Sequence, residues 1–211
     1  PGQKRIFGKT YRGEVKELRK VAHTLTNDIV RELTGIQPFF TTKLVATRTM
    51  GNQVREVFVM DWDGANQKQV STHKSITVSP SWNSDGTKVI YSAFAEHKNE
   101  KRRNLDMFTY DLGTGRRLLV SYRKGINSGA SVMPRDAGLL LTLSNADSAN
   151  GNPDIYKMNM TGTDLVRLTS GPRTAMNVEP AMSPDGKKIA FSSDRSGVPM
   201  IYTMDAGGGN I

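Results

Sequence analysis

A repeat of about 50 residues constrains this chain more than any other feature of its sequence. The segments "NSDGTKVIYSAF" (83–94), "PRDAGLLLTLSN" (134–145) and "SPDGKKIAFSSD" (183–194) align, and they place Asp85, Asp136 and Asp185 at intervals of 51 and 49. A second element recurs out of phase with the first: "VFVMDWDGAN" (57–66), "MFTYDLGTGR" (107–116), "IYKMNMTGTD" (155–164) and "IYTMDAGGGN" (201–210). It spaces Phe58, Phe108, Tyr156 and Tyr202 by 50, 48 and 46. A third element, "KQV", "RLLV" and "VRLT", follows the Gly-containing turn of the first three copies. Each unit therefore reads strand, xDG turn, strand, longer connection, aromatic strand, Gly turn, strand. Asp-Gly suits a tight hairpin because Gly accepts positive φ and Asp bonds back to nearby backbone. One small sheet cannot cover both of its own faces, so four strands per unit predict the stacked blades of a β-propeller. Arg135-Asp136-Ala137-Gly138 reads as a degraded copy of the turn, with its Gly one place late.

The region before the repeats has a different period. In "EVKELRKVAHTLTNDIVRELTG" (14–35), Val15, Leu18, Ala22, Leu25, Ile29 and Leu33 fall on one helical stripe, and Gly35 follows as a left-handed C-cap. Pro38 and the change to short apolar runs put a domain boundary near residue 40. The expected division is residues 1–40, ending in a connecting helix, and an incomplete propeller over 41–211. Its blades are expected near 43–79, 80–130, 131–180 and 181–211, the last of them truncated. Such an open arc is expected to expose sheet faces and edges if these residues are expressed alone.

Several chemistries are disfavoured by the residues. "FGKT" (7–10) fails the phosphate-loop pattern, since Gly2 lies six places before Gly8 and no apolar strand precedes it. With no cysteine there is no disulfide, thiolate nucleophile or Cys-based zinc site. No apolar run approaches the roughly 18 residues of a membrane span. "GINSG" (125–129) has its Ser in the fourth place, so it is not a nucleophile elbow. His23, His73 and His97 show neither metal spacing nor an evident acid partner. "DSANGNPD" (147–154) is rich in oxygen ligands, but Asn-Gly and Asn-Pro read more simply as a polar hairpin loop than as a calcium site. The expectation is no catalytic residue, no cofactor and no metal.

A net charge of +9 favours an acidic partner. The densest basic cluster, "HKNEKRR" (97–103), lacks the interleaved aromatics of nucleic-acid modules, so no nucleic acid is expected. In a four-stranded meander the short turns share one end of the ring. The longer connections (71–79, 96–104, 121–131, 145–153, 170–179 and 194–199) share the other. Long loops on a rigid scaffold are the usual binding surface. They carry His73, Lys74, Lys98, Lys101, Arg102, Arg103, Arg123, Lys124, Arg173 and Arg195 against Glu96, Glu100, Asp147, Glu179 and Asp194. That face is expected to be net positive and to steer an acidic protein towards it. The segments "SITVSP", "INSGASVMP" and "MNVEPAMSP" enter the first strand of each blade, which lines the central channel.

The stretch "SPDGKKIAFSSDRSGVPMIYTMDAGGGN" resembles the propeller repeat of the TolB family. Independently, "FGKTYRG" with "LRKVAHTLTNDIVRELTGI" is similar to the end of that family's amino-terminal α/β domain, whose last helix leads into the propeller. The resemblance implies a mainly β protein with a six-bladed propeller after a small α/β domain. It implies a non-enzymatic periplasmic scaffold of the Tol–Pal envelope system, supporting outer-membrane integrity and cell division. In that family the propeller binds the lipoprotein Pal, and an extreme amino-terminal segment, absent from this sequence, binds TolA. Other envelope proteins are possible partners, and contact with the membrane is peripheral, through them. Carried onto this chain, Thr77, Asn127, Ser128, Asn177 and Glu179 are the positions expected to reach Pal, flanked by His73, Lys74, Arg123, Lys124 and Arg173. The alternative is the propeller of a secreted peptidase or glycan-degrading enzyme whose catalytic part lies elsewhere.

Overall fold

A computed structural model describes residues 7–97, 102–144, 151–169 and 174–211. The chain divides into two compact units. One holds the chain up to Leu44 together with Val59–Lys68, and the other holds Val45–Phe58 and Gln69–Ile211.

In the first unit a short 3-10 turn, Val15–Glu17, leads into helix α1, Leu18–Thr34. Gly35 ends it at φ 69°, and its N–H bonds to the Arg31 carbonyl at 2.9 Å. This left-handed cap is the role the sequence assigns to it. The segment "FGKTY" is anchored on the helix, where Lys9 Nζ (2.5 Å) and Tyr11 Oη (2.7 Å) both donate to Asp28. Buried Asn27 donates to Thr41 Oγ1 at 2.8 Å and accepts the Phe40 N–H at 2.9 Å, fixing the chain beyond the helix. The helix is thus held by a polar face. The apolar stripe is exposed at Val15, Leu18, Leu25, Ile29 and Leu33. No helix among the described residues is long and apolar enough to cross a membrane.

Four sheets follow the chain in order. The first is β1 (Lys43–Gly51), β2 (Val54–Asp61) and β3 (Lys68–Gln69). The second is β4 (Thr77–Trp82), β5 (Lys88–His97), β6 (Arg102–Asp111) and β7 (Arg117–Ser121). The third is β8 (Asn127–Val132), β9 (Leu139–Ser144), β10 (Pro153–Met158) and β11 (Val166–Arg167). The fourth is β12 (Asn177–Met182), β13 (Lys188–Ser193) and β14 (Met200–Asp205). Within the second, third and fourth sheets, consecutive strands pair antiparallel. Their first strands, β4, β8 and β12, lie side by side, as the inner strands of propeller blades do.

The sheets stack through side chains that alternate along each strand. Strand β9 shows the principle, because it is covered on both faces. Leu139, Leu141 and Leu143 join Ile90, Met107 and Val120 in one core, and Leu140 joins Ile155, Ile189, Phe191 and Met204 in the next. Each fully buried Leu contributes about 1.5–3 kcal/mol, so a sheet with two buried faces is stable only between neighbours.

The structure revises two sequence readings of local structure. Of the connection expected over 96–104, residues 96–97 and 102–104 are strand, since the β5–β6 ladder extends to the pair His97↔Arg102 and includes Glu96↔Arg103. Opposite charges facing across a ladder support strand pairing in residues whose composition reads as loop. The turn at 134–138 is not merely degraded. Arg135 and Asp136 both take positive φ (59° and 55°), which turns the Asp136 carboxylate to the neighbouring blade. There it accepts Ser84 N–H at 2.7 Å and Asn83 Nδ2 at 3.0 Å, while Asp136 N–H donates to Ser84 Oγ at 3.0 Å.

Candidate partner-binding face

A polar network recurs where each blade hands over to the next. Buried acids stand at equivalent places in the next-to-last strand of the first three sheets: Glu56 in β2, Asp106 in β6 and Asp154 in β10, exposed by 2%, 1% and 6%. Ser71, Ser121 and Thr169 follow them, and Thr77, Asn127 and Asn177 open the next inner strand, all buried. Glu56 accepts from Ser71 Oγ and from Lys74 N–H at 2.6 Å. Asp154 accepts from Thr169 Oγ1 (2.7 Å), Asn177 Nδ2 (2.9 Å) and Arg167. Asn127 Oδ1 accepts from Ser121 Oγ at 2.6 Å and Arg123 N–H at 3.0 Å, while its Nδ2 donates to the carbonyls of Leu105 and Arg123. Thr77 Oγ1 donates to the Arg55 carbonyl at 2.9 Å. The side chains of Thr77, Asn127, Ser128 and Asn177 therefore lie inside, where they set the origin of each loop. Buried polar groups must be paired, and those of Thr77, Asn127 and Asn177 are.

Two histidines have acid partners, contrary to the sequence reading. His97 Nε2 lies 2.6 Å from Asp106 Oδ2 within the β5–β6 hairpin, and His23 Nε2 lies 3.1 Å from Asp63 Oδ2. Both pairs are made by folding, across 9 and 40 positions in the chain respectively. His73 is half-buried against Phe108 and Tyr91, with ring centroids at 4.6 and 5.7 Å. Burial, then the Arg117 charge, pushes its pKa below the usual imidazole value. Arg117 can only donate, so the Nε2 that lies 3.0 Å from its Nη1 accepts and the ring is neutral. Among the described residues no group of three or more His, Cys, Asp or Glu is placed to hold a metal. Residues 147–150 of the oxygen-rich segment lie outside the described residues, and the Asp154 carboxylate is already occupied.

The exposed residues of the long-connection end form a cleft of about 490 Å³ in the second unit, lined by Asn52, Gln53, Lys74, Ile76, Phe94 and Arg103 among others. Among the described residues no acidic side chain lines it. Asn52, Gln53 and Lys74 all adopt positive φ (47°, 61° and 53°). A non-glycine residue in that region costs roughly 1–2 kcal/mol, and at Lys74 the bond from its N–H to buried Glu56 holds the loop there. Among the described residues Arg103 makes a long ion-pair contact, 4.0 Å, to Glu96, both side chains being well exposed. Phe94 is exposed by 39% beside these two cations.

The other expected contact residues are spread around the same end. Arg123 is exposed and tied by Nη1 to Ser121 Oγ at 2.9 Å, and Lys124 is exposed beside it. Glu179 is exposed in a bulge of β12 at φ 52°, with its N–H on Thr142 Oγ1 at 3.0 Å. The bulge recurs at Ser79 and Gly129, both at positive φ. At Gly129 a Cβ would sit tightly against Glu179 Cδ at 3.3 Å and Thr142 Oγ1 at 3.2 Å, so glycine suits this copy of the bulge. Arg173, with Lys98, Glu100, Lys101 and Asp147, lies outside the described residues. Lys74 and Arg103 share a cleft, whereas Arg123 and Lys124 stand apart from it. Sequence reasoning missed Phe94, Ile76, Asn52 and Gln53, whose exposure depends on register that no local pattern announces.

Comparison with known proteins bears on this arrangement. The TolB beta propeller domain matches residues 30–211. A Tol-Pal system protein TolB of Bordetella pertussis is 31% identical over 206 residues, covering 97% of this chain and 44% of that protein. The chain thus spans less than half the length of the curated relatives it matches. The crystal structure of TolB from Acinetobacter baumannii superposes with a TM-score of 0.79 at 28% identity, covering 97% of this chain and 49% of that one. A putative TolB from Agrobacterium tumefaciens shares the fold, with a TM-score of 0.67 at 18% identity over 80% of this chain and 59% of its own.

Proposed function

This chain belongs to the TolB β-propeller family, and from that premise we propose that it is the propeller portion of a periplasmic, non-catalytic Tol–Pal scaffold. Its long-connection end binds an acidic surface of the lipoprotein Pal, and through that contact the protein supports outer-membrane integrity and cell division. Residues 41–211 supply the propeller, and residues up to 40 supply the end of an α/β domain. Contact with TolA belongs to a segment outside this sequence.

The observation that carries the reading is the cleft in which Lys74 and Arg103 flank an exposed Phe94, with no acidic side chain among its described lining residues. Exposed ion pairs contribute only about 0.2–1 kcal/mol each, so the two cations act mainly by steering encounter. Burying the rest of the Phe94 ring adds of the order of 1 kcal/mol. In this reading Arg123, Lys124 and Glu179 add contacts elsewhere on the same end, and Arg173 joins them on the sequence pattern alone. His73, Thr77, Asn127, Ser128 and Asn177 position the loops from beneath.

The test uses the full-length protein carrying Lys74→Glu and Arg103→Glu, with purified Pal. The association rate at low salt should fall about tenfold, and its dependence on salt should flatten. An unchanged rate and salt slope would overturn the assignment.

A further inference from the structure

The first compact unit contains a second cleft, of about 430 Å³, between the start of α1 and the segment that follows the helix. Its helical wall presents Lys16, Arg19 and Lys20, and Lys43 stands among its other lining residues. Two aspartates accompany these cations, but both are committed. Asp61 accepts from Lys43 at 2.8 Å and from Asn66 at 2.7 Å, and these bonds hold its carboxyl below the usual range. Asp63 is bonded by Arg19 and lies 3.1 Å from His23, and the Arg19 bond lowers its carboxyl in the same way. Arg19 and Lys43 are therefore neutralised locally.

Lys16 and Lys20 are not neutralised inside the cleft. Lys16 meets Glu14 at 2.7 Å, with side chains exposed by 75% and 70%, and water screens such a pair. The Lys20 ammonium has no hydrogen-bond or ion-pair partner among the described residues, although the Lys20 carbonyl accepts from Thr24 Oγ1. Lys16 projects from the 3-10 turn and Lys20 from the first turn of α1, and both line the cleft. Phe40, which also lines the cleft, is held edge-on to Trp62 at 4.9 Å and pinned through its N–H by Asn27.

We propose that this cleft docks an acidic peptide segment of a partner protein, with successive carboxylates on Lys16 and Lys20 and an apolar side chain on the Phe40 ring. Two separated ammonium groups on flexible stems match carboxylates spaced along a chain. They are poorly arranged for one compact anion, which needs convergent donors. The site stands independently of the propeller-face reading.

The test uses the full-length protein and a fluorescein-labelled peptide of alternating glutamate and leucine, followed by anisotropy at low salt. Lys16→Glu with Lys20→Glu should weaken binding by about tenfold or more, and Lys16→Gln with Lys20→Gln should weaken it less. Circular dichroism checks that both variants are folded. Lys74→Glu with Arg103→Glu should bind this peptide as the unaltered protein does, and bound peptide should slow amide exchange in residues 16–23 and 40–43. Unchanged binding by both lysine variants overturns the proposal, as does loss confined to the Lys74 and Arg103 variant. Equal binding of a glutamine-leucine peptide also overturns it, and so does full displacement by millimolar inorganic phosphate, which would mark a small-anion site.

Discussion

Replacing Asn127 by Ala tests whether the repeated polar network holds loops in place or meets a partner. Asn127 is fully buried, and it joins Ser121, the Arg123 backbone and the Leu105 carbonyl. Without the amide, Ser121 Oγ retains Arg123 Nη1 at 2.9 Å, but the Leu105 carbonyl and Arg123 N–H lose the bonds Asn127 provides. Each buried group left unpaired costs about 1–3 kcal/mol. Because the Arg123 end lies near solvent and water can enter, the expected loss is about 2–4 kcal/mol. For a cooperative unit of 150–250 residues this lowers Tm by roughly 5–12 °C. Urea unfolding of the full-length protein measures the loss, and Asn127→Asp is a useful second variant because it keeps the acceptors and removes the donors. The association rate of the folded variant with Pal should match that of the unaltered protein. A loss below about 0.5 kcal/mol would refute the positioning argument, most clearly if Pal association slowed about tenfold at the same time.

Two further outcomes follow from the backbone and the turn acids. Gly162 sits at φ 89°, and a Cβ there would meet the Val120 carbonyl oxygen at 2.2 Å, so Gly162→Ala should cost more than about 2 kcal/mol in urea unfolding; a neutral result would contradict the close approach. The aspartates of the hairpin turns have depressed pKa values: Asp85 through Thr87, Asp185 through Ser183, Asp111 through Thr114, Asp61 through Lys43 and Asp205 through Lys188. A depressed folded-state pKa stabilises above the unfolded value near 3.9 and is lost as pH falls through the folded value, so the urea midpoint should drop between about pH 4 and pH 2. A midpoint that holds steady over that window would show that these bonds persist in the unfolded chain or add nothing.

The fold was legible because its information is local and repeated. Asp85 and Asp185 announce turns, and Phe58, Phe108, Tyr156 and Tyr202 mark one strand of each sheet whatever surrounds them. The candidate site was legible only in part. A polar residue at the start of a strand reads the same whether it faces solvent or completes an internal network. Asn177 is inside because Asp154 reaches it from β10 and Arg195 from the β13–β14 connection, at 2.9 and 2.8 Å. Lys74 is outside because Glu56, 18 positions earlier, captures its N–H. The cleft around Phe94 depends on the exposed register of β5 and on loops from two blades. No window of sequence contains that assembly.

The irregular turn at 134–138 bears on how a chain of near-copies avoids mistaking one copy for another. Identical blades offer every sheet several acceptable neighbours, and misordered assembly is a hazard of repeat proteins. Asp136 reaches Asn83 and Ser84 because two consecutive residues take left-handed backbone, and no other turn of this type in the described chain departs from the pattern in that way. The second and third sheets therefore carry matched labels, so their order is written into a departure from the repeat and would be erased by restoring the consensus.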